Sequence, residues 1–177
     1  YSTLPNATML RSNGVMNATY QADVDEHLEI SLGSIAGMQT LVLTFVSLGN
    51  VTTREAIDWA LTYPKIVKGI TVIARVMNDI MSHEREQATD HMASTVQTCM
   101  KQYGVTVEEA IEKLKIVLEE AWMDMMQDYL EQKYPMTLLK KGISFGQSID
   151  FFCKREDLYT LPSNLKATLT SLYVKFA

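Results

Sequence analysis

The stretch from Arg75 to Glu86 constrains the fold more than any other part of this chain, because its polar residues recur at a helical period. Asn78, Ser82 and Glu86 are four residues apart, in a segment without glycine or proline. Since an α-helix advances by about 100° per residue, the amide, the hydroxyl and the carboxylate fall on one stripe over two turns. The sequence predicts a helix that is buried on most sides, because apolar residues flank the stripe at Ile70, Val72, Ile73, Val76 and Met77.

This oxygen stripe suits a hard divalent cation. A set of neutral oxygen donors with one carboxylate is typical of Mg²⁺, which keeps several waters and shares substrate phosphates, and Mn²⁺ is the alternative ion. Arg75, one turn earlier, borders the same stripe, and its guanidinium could bind the same phosphate in a forked geometry. Two other interpretations stay open at this point: a solvated polar face and a network of hydrogen bonds between helices.

Composition restricts the class of protein further. The chain has 177 residues, the length of one domain, and 47% hydrophobic residues, which excludes a disordered chain. Its net charge of −5 argues against a nucleic-acid partner. The longest apolar run, residues 40–46, is too short for a membrane span. Two distant cysteines without a CxxC spacing, and no visible N-terminal signal, predict a cytoplasmic protein.

The order of apolar patterns and helix breakers predicts an all-α fold. Residues 1–22, rich in Asn, Ser and Thr, are expected to form a poorly defined lead-in, followed by one domain over residues 23–177. The predicted helices cover residues 23–48, 54–61, 64–103, 106–132 and 136–152, and a last helix begins near residue 163. We therefore expect an antiparallel helical bundle.

Residues 78–86, Asn-Asp-Ile-Met-Ser-His-Glu-Arg-Glu, resemble the second metal motif of the class I plant terpene synthases. In that family Asn, Ser or Thr, and Glu bind one Mg²⁺, and an arginine stands three residues ahead, as Arg75 does here. The resemblance extends into the helices that follow and into Asp-Leu-Tyr-Thr at residues 157–160. It covers about residue 23 to the C-terminus, and it implies a partial C-terminal metal-binding domain with part of the class I terpenoid synthase fold.

The resemblance also implies roles for single residues. Asn78, Ser82 and Glu86 would hold Mg²⁺, and Arg75 together with Asn78 would contact the substrate diphosphate. Asp79, next to the first ligand, is interpreted as a structural partner with less weight as a site residue.

The implied reaction is the ionisation and cyclisation of a prenyl diphosphate. The chain most resembles the cytosolic sesquiterpene synthases, and this resemblance implies farnesyl diphosphate as the substrate. Asp157 and Tyr159 correspond to catalytic positions that close over the pocket in the family. An ordinary loop aspartate and a packed tyrosine are an equally open interpretation of these two residues.

One departure from the family pattern bears on activity. The Asp-Asp-x-x-Asp motif of its first metal site is absent, and the nearest acidic group, at residues 23–26, has the wrong spacing. We therefore expect the chain alone to be weakly active or inactive. The alternative is a non-catalytic, truncated helical module that binds a partner or forms a homo-oligomer through exposed apolar surface.

Overall fold

The computed structural model describes residues 23–86, 94–131, 134–153, 158 and 162–173. Every regular element in these ranges is helical, which confirms the predicted all-α fold. The α-helices are α1 (Val24–Leu32), α2 (Gly37–Ser47), α3 (Arg54–Ala60), α4 (Lys65–Glu86), α5 (Thr95–Tyr103), α6 (Val107–Glu131), α7 (Met136–Cys153) and α8 (Leu165–Tyr173). Short 3₁₀ turns at Gly49–Val51 and Pro162–Asn164 accompany them. Lead-in residues 1–22 lie outside the described part, and the division at residue 23 stays a prediction.

Helix α4 forms the centre of the bundle. It packs against α6 and α7 along much of its length, and α1, α2 and α5 also contact it. Five apolar side chains in the first half of α4 are fully buried, as the sequence pattern predicts, and they are Ile66, Val67, Ile70, Ile73 and Val76. Burial on several sides leaves few positions on α4 where a polar side chain can reach a ligand.

Helices α4 and α6 run antiparallel and approach each other closely. Lys65 Nζ, at the start of α4, lies 2.8 Å from Asp124 Oδ1 near the end of α6. A Cβ atom at Gly69 would lie 2.8 Å from the Ala121 carbonyl oxygen, so only glycine permits this spacing. The same residue type appears at Gly142 on α7, where a Cβ would lie 2.7 Å from Ile66 Cδ1. Three helices therefore meet tightly around the first two turns of α4.

The segment predicted as one helix over residues 23–48 consists of α1 and α2, which are bent by 41° relative to each other. Ala36 adopts a left-handed backbone with φ of 55°, which α-helix geometry does not allow. Gly37 then brings α2 against α4, because a Cβ there would lie 2.9 Å from Thr71 Oγ1. In the described ranges no single helix is long and apolar enough to cross a membrane; the bent pair α1 and α2 passes only when counted together.

The prediction of one long helix over residues 64–103 is wrong. Helix α4 ends at Glu86 within the described residues, and α5 begins separately at Thr95. Ser94 is extended, with φ −90° and ψ 161°, and its hydroxyl accepts a hydrogen bond from the Gln97 N–H at 3.2 Å. The apolar pattern continues across this break, but a serine that caps a helix requires a non-helical backbone.

Other predicted boundaries are confirmed. Gly104 ends α5 in the left-handed conformation, with φ of 63°. Thr106 and Glu109 form the predicted capping box, because the Thr106 N–H donates to Glu109 Oε2 at 3.0 Å and the Glu109 N–H donates to Thr106 Oγ1 at 3.3 Å. Cys99 and Cys153 are both buried, and no disulfide joins them to each other.

Candidate functional site

The oxygen stripe predicted from the sequence lies on the last turns of α4. Asn78 and Glu86 are half-buried, and Ser82 is fully buried. The Ser82 hydroxyl donates a hydrogen bond to the Asn78 carbonyl oxygen at 2.8 Å, the usual contact of a serine inside a helix. The hydroxyl proton of Ser82 therefore points to the Asn78 carbonyl oxygen, and the lone pairs of Ser82 Oγ point away from that carbonyl.

Two members of the stripe have unused oxygen atoms. Within the described part of the chain, the Asn78 amide and the Glu86 carboxylate make no hydrogen bond or ion pair with another side chain. The described residues also contain no group of three His, Cys, Asp or Glu side chains that could hold a metal ion. The donor set is therefore one amide, one hydroxyl and one carboxylate, which fits one hard cation that retains waters.

Asp79, the residue next to Asn78, has a different environment. It is 3% exposed, and its Oδ2 accepts hydrogen bonds from the Thr95 N–H at 2.7 Å and from Thr95 Oγ1 at 2.5 Å. Its Oδ1 lies 3.3 Å from Arg75 Nη1, and these two side chains, one helical turn apart, form a partly buried ion pair. These contacts confirm the interpretation of Asp79 as a structural partner, which joins α4 to the first residue of α5.

Arg75 extends this network to the break between α1 and α2. Its Nη2 donates to Ser34 Oγ at 2.6 Å and to the Ser31 carbonyl oxygen at 3.4 Å. Its Nε is buried and has no hydrogen-bond partner among the described residues. The guanidinium is thus held on one side by Asp79 and Ser34, and one donor remains unsatisfied.

His27 on α1 completes the electrostatic surroundings. Burial lowers the pKa of His27 from its ordinary value of 6.5; the Asp79 carboxylate partly opposes this shift, and the Arg75 guanidinium adds to it. The imidazole is therefore neutral at pH 7 and adds no second positive charge beside Arg75.

The structure places four of the six predicted site residues on one helix, and the other two lie outside the described residues; the roles of all six stay predictions. Arg75, Asn78, Ser82 and Glu86 lie between the middle of α4 and its last residue, as the helical spacing predicts. Asp157 and Tyr159 lie outside the described residues, so their assignment stays a prediction. Leu158, the residue between them, donates its N–H to the Phe152 carbonyl oxygen at 3.0 Å.

No sequence motif points to Thr95, Ser34 or His27, although each belongs to the surroundings of Arg75 and Asp79. Thr95 lies 16 residues beyond Asp79, and Ser34 lies 41 residues before Arg75. The one local signal is Ser94, a frequent helix-capping residue, which indicates a helix start near Thr95. The partners themselves depend on tertiary packing.

Comparison with known families gives a match over most of the chain. The sequence model described as "Terpene synthase family, metal binding domain" matches residues 6–124. This range contains the whole oxygen stripe and the Arg75–Asp79 network.

Curated relatives agree with this match. The chain is 49% identical to an (E)-beta-caryophyllene synthase of Zea mays over 154 residues, which is 86% of the chain and 28% of the relative. It is 39% identical to a beta-sesquiphellandrene synthase of Sorghum bicolor over 153 residues, again 86% of the chain and 28% of the relative. The chain thus spans a little over a quarter of the length of these two relatives.

Solved structures share the fold. Isoprene synthase from grey poplar, in complex with three Mg²⁺ ions and dimethylallyl-S-thiolodiphosphate, matches with a TM-score of 0.70 at 19% identity, over 81% of this chain and 28% of that one. Limonene synthase with 2-fluorolinalyl diphosphate matches with a TM-score of 0.71 at 20% identity, over 79% of this chain and 26% of that one. The bundle is therefore part of the class I terpenoid synthase fold, as predicted.

Proposed function

The chain belongs to the terpene synthase family, in its metal-binding domain, and from this premise we propose that it supplies one metal site of a sesquiterpene synthase. The observation that carries the proposal is the stripe of Asn78, Ser82 and Glu86, whose amide and carboxylate oxygens are unused within the described chain. Three oxygen donors with one carboxylate favour Mg²⁺, with Mn²⁺ as a substitute.

Bound there, the ion would supply positive charge to a diphosphate leaving group as the allylic C–O bond ionises. The side chains of the stripe would determine where that charge lies. Glu86 contributes the only carboxylate of the stripe, and Asn78 and Ser82 contribute neutral oxygens. This low ligand charge leaves the ion with a net positive charge that attracts the diphosphate.

Arg75 is proposed to contact the same diphosphate. Its Nε is a buried donor without a partner in the described chain, and a phosphate oxygen satisfies such a donor well. Asp79 and Ser34 hold the other side of the guanidinium, so its orientation is fixed before a ligand arrives. The amide NH₂ of Asn78 is proposed to donate a second hydrogen bond to this diphosphate.

Farnesyl diphosphate is the proposed substrate, and a sesquiterpene is the proposed product. Two relatives are sesquiterpene synthases by name, which favours a substrate of that length. Asp157 and Tyr159 are proposed to close over the reacting carbon chain, and the protein is proposed to act in the cytoplasm. The 177 residues contain no Asp-Asp-x-x-Asp motif, so we expect the chain alone to turn over slowly or not at all.

Binding of Mn²⁺, followed by electron paramagnetic resonance, tests the metal site directly. We expect one bound Mn²⁺ per chain, with tighter binding when farnesyl diphosphate is present. Glu86→Gln should weaken this binding by roughly ten- to a hundredfold, because it removes the only charged ligand. Glu84→Gln is the matched control, since Glu84 is exposed on the same turn and outside the stripe. Equal binding by the two variants would refute the proposed ligand set.

Incubation with Mg²⁺ and farnesyl diphosphate, with volatile products measured by gas chromatography, tests the reaction. A sesquiterpene that the wild-type chain forms and Glu86→Gln does not form would support the proposed lyase activity. A high yield from the wild-type chain would contradict the expectation that the chain alone is weakly active. Metal and diphosphate binding without product would support a single metal site that needs a second acidic cluster.

A non-catalytic, self-associating module is the second candidate, and the surface of α6 favours it. Ile116, Met123 and Leu130 are 57%, 64% and 70% exposed and lie seven residues apart, the spacing of a coiled-coil seam. Met123→Lys would break such a seam. Light scattering that shows a dimer for the wild-type chain and a monomer for Met123→Lys would support this function, and a concentration-independent monomer would exclude it.

A further inference from the structure

Arg75 and Asp79 form an open ion pair on α4. The two side chains lie one helical turn apart, and a single hydrogen bond joins Arg75 Nη1 to Asp79 Oδ1 at 3.3 Å. Arginine and carboxylate groups frequently form two parallel bonds of about 2.7–2.9 Å, which here would use a second nitrogen and the second oxygen. The side chains are only 17% and 4% exposed, so little water competes for these atoms. Neighbouring protein groups therefore cause the open geometry.

Thr95 occupies the second oxygen of Asp79. Asp79 Oδ2 accepts the Thr95 N–H at 2.7 Å and the Thr95 hydroxyl at 2.5 Å. A carboxylate oxygen has two lone pairs, and these two donors use both. A bond from Arg75 to Oδ2 would have to displace one of the Thr95 donors.

Ser34, in the segment between α1 and α2, occupies the second terminal nitrogen of Arg75. Nη2 lies 2.6 Å from Ser34 Oγ, which is the shortest hydrogen bond of the guanidinium, and 3.4 Å from the Ser31 carbonyl oxygen. The Ser34 hydroxyl donates its proton to that same carbonyl oxygen at 2.7 Å, so Ser34 Oγ is the acceptor towards Arg75. Hydrogen bonds that follow one another in such a chain strengthen each other. The Ser34 hydroxyl thus competes with the Asp79 carboxylate for Nη2.

This arrangement preserves the charge of Arg75. The Ser34 hydroxyl is neutral, whereas a carboxylate in a forked pair would take two guanidinium nitrogens and compensate more of the positive charge. Arg75 Nε also has no hydrogen-bond partner within the described ranges. The guanidinium therefore keeps both donor capacity and charge for an anion.

We propose that Ser34 is a positioning residue whose hydroxyl keeps Arg75 from closing onto Asp79 and so preserves the guanidinium for the diphosphate. The inference rests on the proposed function, because it requires Arg75 to contact that diphosphate. Ser34 touches no substrate in this proposal and acts through Arg75. A serine that only ends α1 would affect stability and would leave the affinity for a diphosphate unchanged.

Inorganic pyrophosphate, titrated by calorimetry into the full chain with Mn²⁺, tests this role. Ser34→Ala should weaken pyrophosphate binding by roughly three- to tenfold, the effect of one hydrogen bond, and should leave the binding of Mn²⁺ alone unchanged. Ser34→Thr retains a hydroxyl and should retain the wild-type affinity. Ser31→Ala is the matched control, because the Ser31 hydroxyl donates to the Leu28 carbonyl oxygen at 3.3 Å and makes no hydrogen bond with Arg75. Equal pyrophosphate affinity of Ser34→Ala and Ser31→Ala would overturn the proposal.

Asp79→Asn removes the carboxylate onto which Arg75 would close. The variant retains an oxygen that accepts the Thr95 N–H. In this background Ser34→Ala should no longer weaken pyrophosphate binding, because a neutral amide does not form an ion pair with the guanidinium. A loss as large as in the wild-type background would contradict the proposal, since Ser34 would then act independently of Asp79.

A crystal structure of Ser34→Ala without ligand tests the geometry and does not depend on the folding of Asp79→Asn. Two nitrogen–oxygen contacts between Arg75 and Asp79, each shorter than about 3.2 Å, should replace the single one. A single contact that stays at 3.3 Å would refute the proposed competition between Ser34 and Asp79.

Arg75→Ala separates a failure of this inference from a failure of the proposed function. If Arg75→Ala binds pyrophosphate as tightly as the wild-type chain, the proposed contact between Arg75 and the diphosphate is refuted, and the role of Ser34 with it. If Arg75→Ala weakens binding and Ser34→Ala does not, the contact stands and only the role of Ser34 is refuted.

Discussion

Two adjacent residues of α4, Asn78 and Asp79, have opposite relations to the rest of the protein. Asp79 is 3% exposed, accepts two hydrogen bonds from Thr95, and forms an ion pair with Arg75. Asn78 is half-buried, and its amide has no partner in the described chain. One side of the helix therefore holds the bundle together, and the neighbouring stripe keeps oxygen atoms available. Residues of one motif need not share one role.

Asp79→Ala should give the largest effect on the structural side of this comparison. It removes the carboxylate that pairs with the partly buried Arg75 guanidinium and leaves the Thr95 N–H buried without its acceptor, so the free energy of unfolding should fall by about 3–5 kcal/mol. Urea denaturation followed by circular dichroism measures this change. Asn78→Ala is the matched control and should cost less than about 1 kcal/mol, because its side chain makes no hydrogen bond here. Similar losses for the two variants would remove the distinction.

Thr95→Val should give a smaller loss by the same measurement. The variant removes the hydroxyl that donates to Asp79 Oδ2 at 2.5 Å but retains the backbone N–H bond at 2.7 Å. A hydrogen bond to a charged group contributes about 1.5–3 kcal/mol to stability, and we expect a loss in that range. Thr98→Val, another buried threonine on α5, controls for the change of side chain. A loss no greater than that of the control would show that Asp79 depends on the backbone bond alone.

Asn78→Asp tests whether Asn78 belongs to the metal site and not to the network that stabilises the bundle. Without metal, stability should change by less than about 0.5 kcal/mol, since the side chain has no partner to lose. The second carboxylate should tighten Mn²⁺ binding by several fold, because ligand charge sets the affinity for hard cations. Electron paramagnetic resonance measures the affinity, and urea denaturation measures the stability. Weaker Mn²⁺ binding by Asn78→Asp would contradict the position of this residue in the site.

The pH dependence of stability should show the smallest effect. Burial lowers the pKa of His27 in the folded protein, so the unfolded chain takes up a proton first as the pH falls below 6.5. Stability is therefore retained above pH 6.5 and lost as the pH falls towards the folded-state pKa. His27→Gln should flatten the stability profile below pH 6.5. An unchanged slope in His27→Gln would assign the loss to other groups.

The sequence was sufficient for the central features of the fold. Spacings of four residues predicted that Asn78, Ser82 and Glu86 share a helix face, and apolar residues predicted a buried α4. Capping chemistry predicted the start of α6 at Thr106 and the end of α5 at Gly104. These signals are local, because they depend on residues within one or two helical turns.

The sequence did not indicate features that depend on distant contacts. The helix predicted over residues 64–103 is interrupted because Ser94 caps a new helix. The spacing of apolar residues alone does not indicate this interruption. The left-handed backbone at Ala36 and the partners of Arg75 arise where α1, α2 and α4 meet. No residue within two turns specifies such a contact, so the pattern of a single segment cannot predict it.

The bond between Asp79 and Thr95 has a consequence for where this protein can be altered. The first residue of α5 is fixed by a side chain of α4 that lies 16 positions earlier in the sequence. Because both partners of this bond lie outside the sequence between Glu86 and Ser94, insertions between these two residues should leave α5 in place. A fluorescent or spin-label reporter inserted there would sit beside the last residue of the stripe without disturbing the helices that support it.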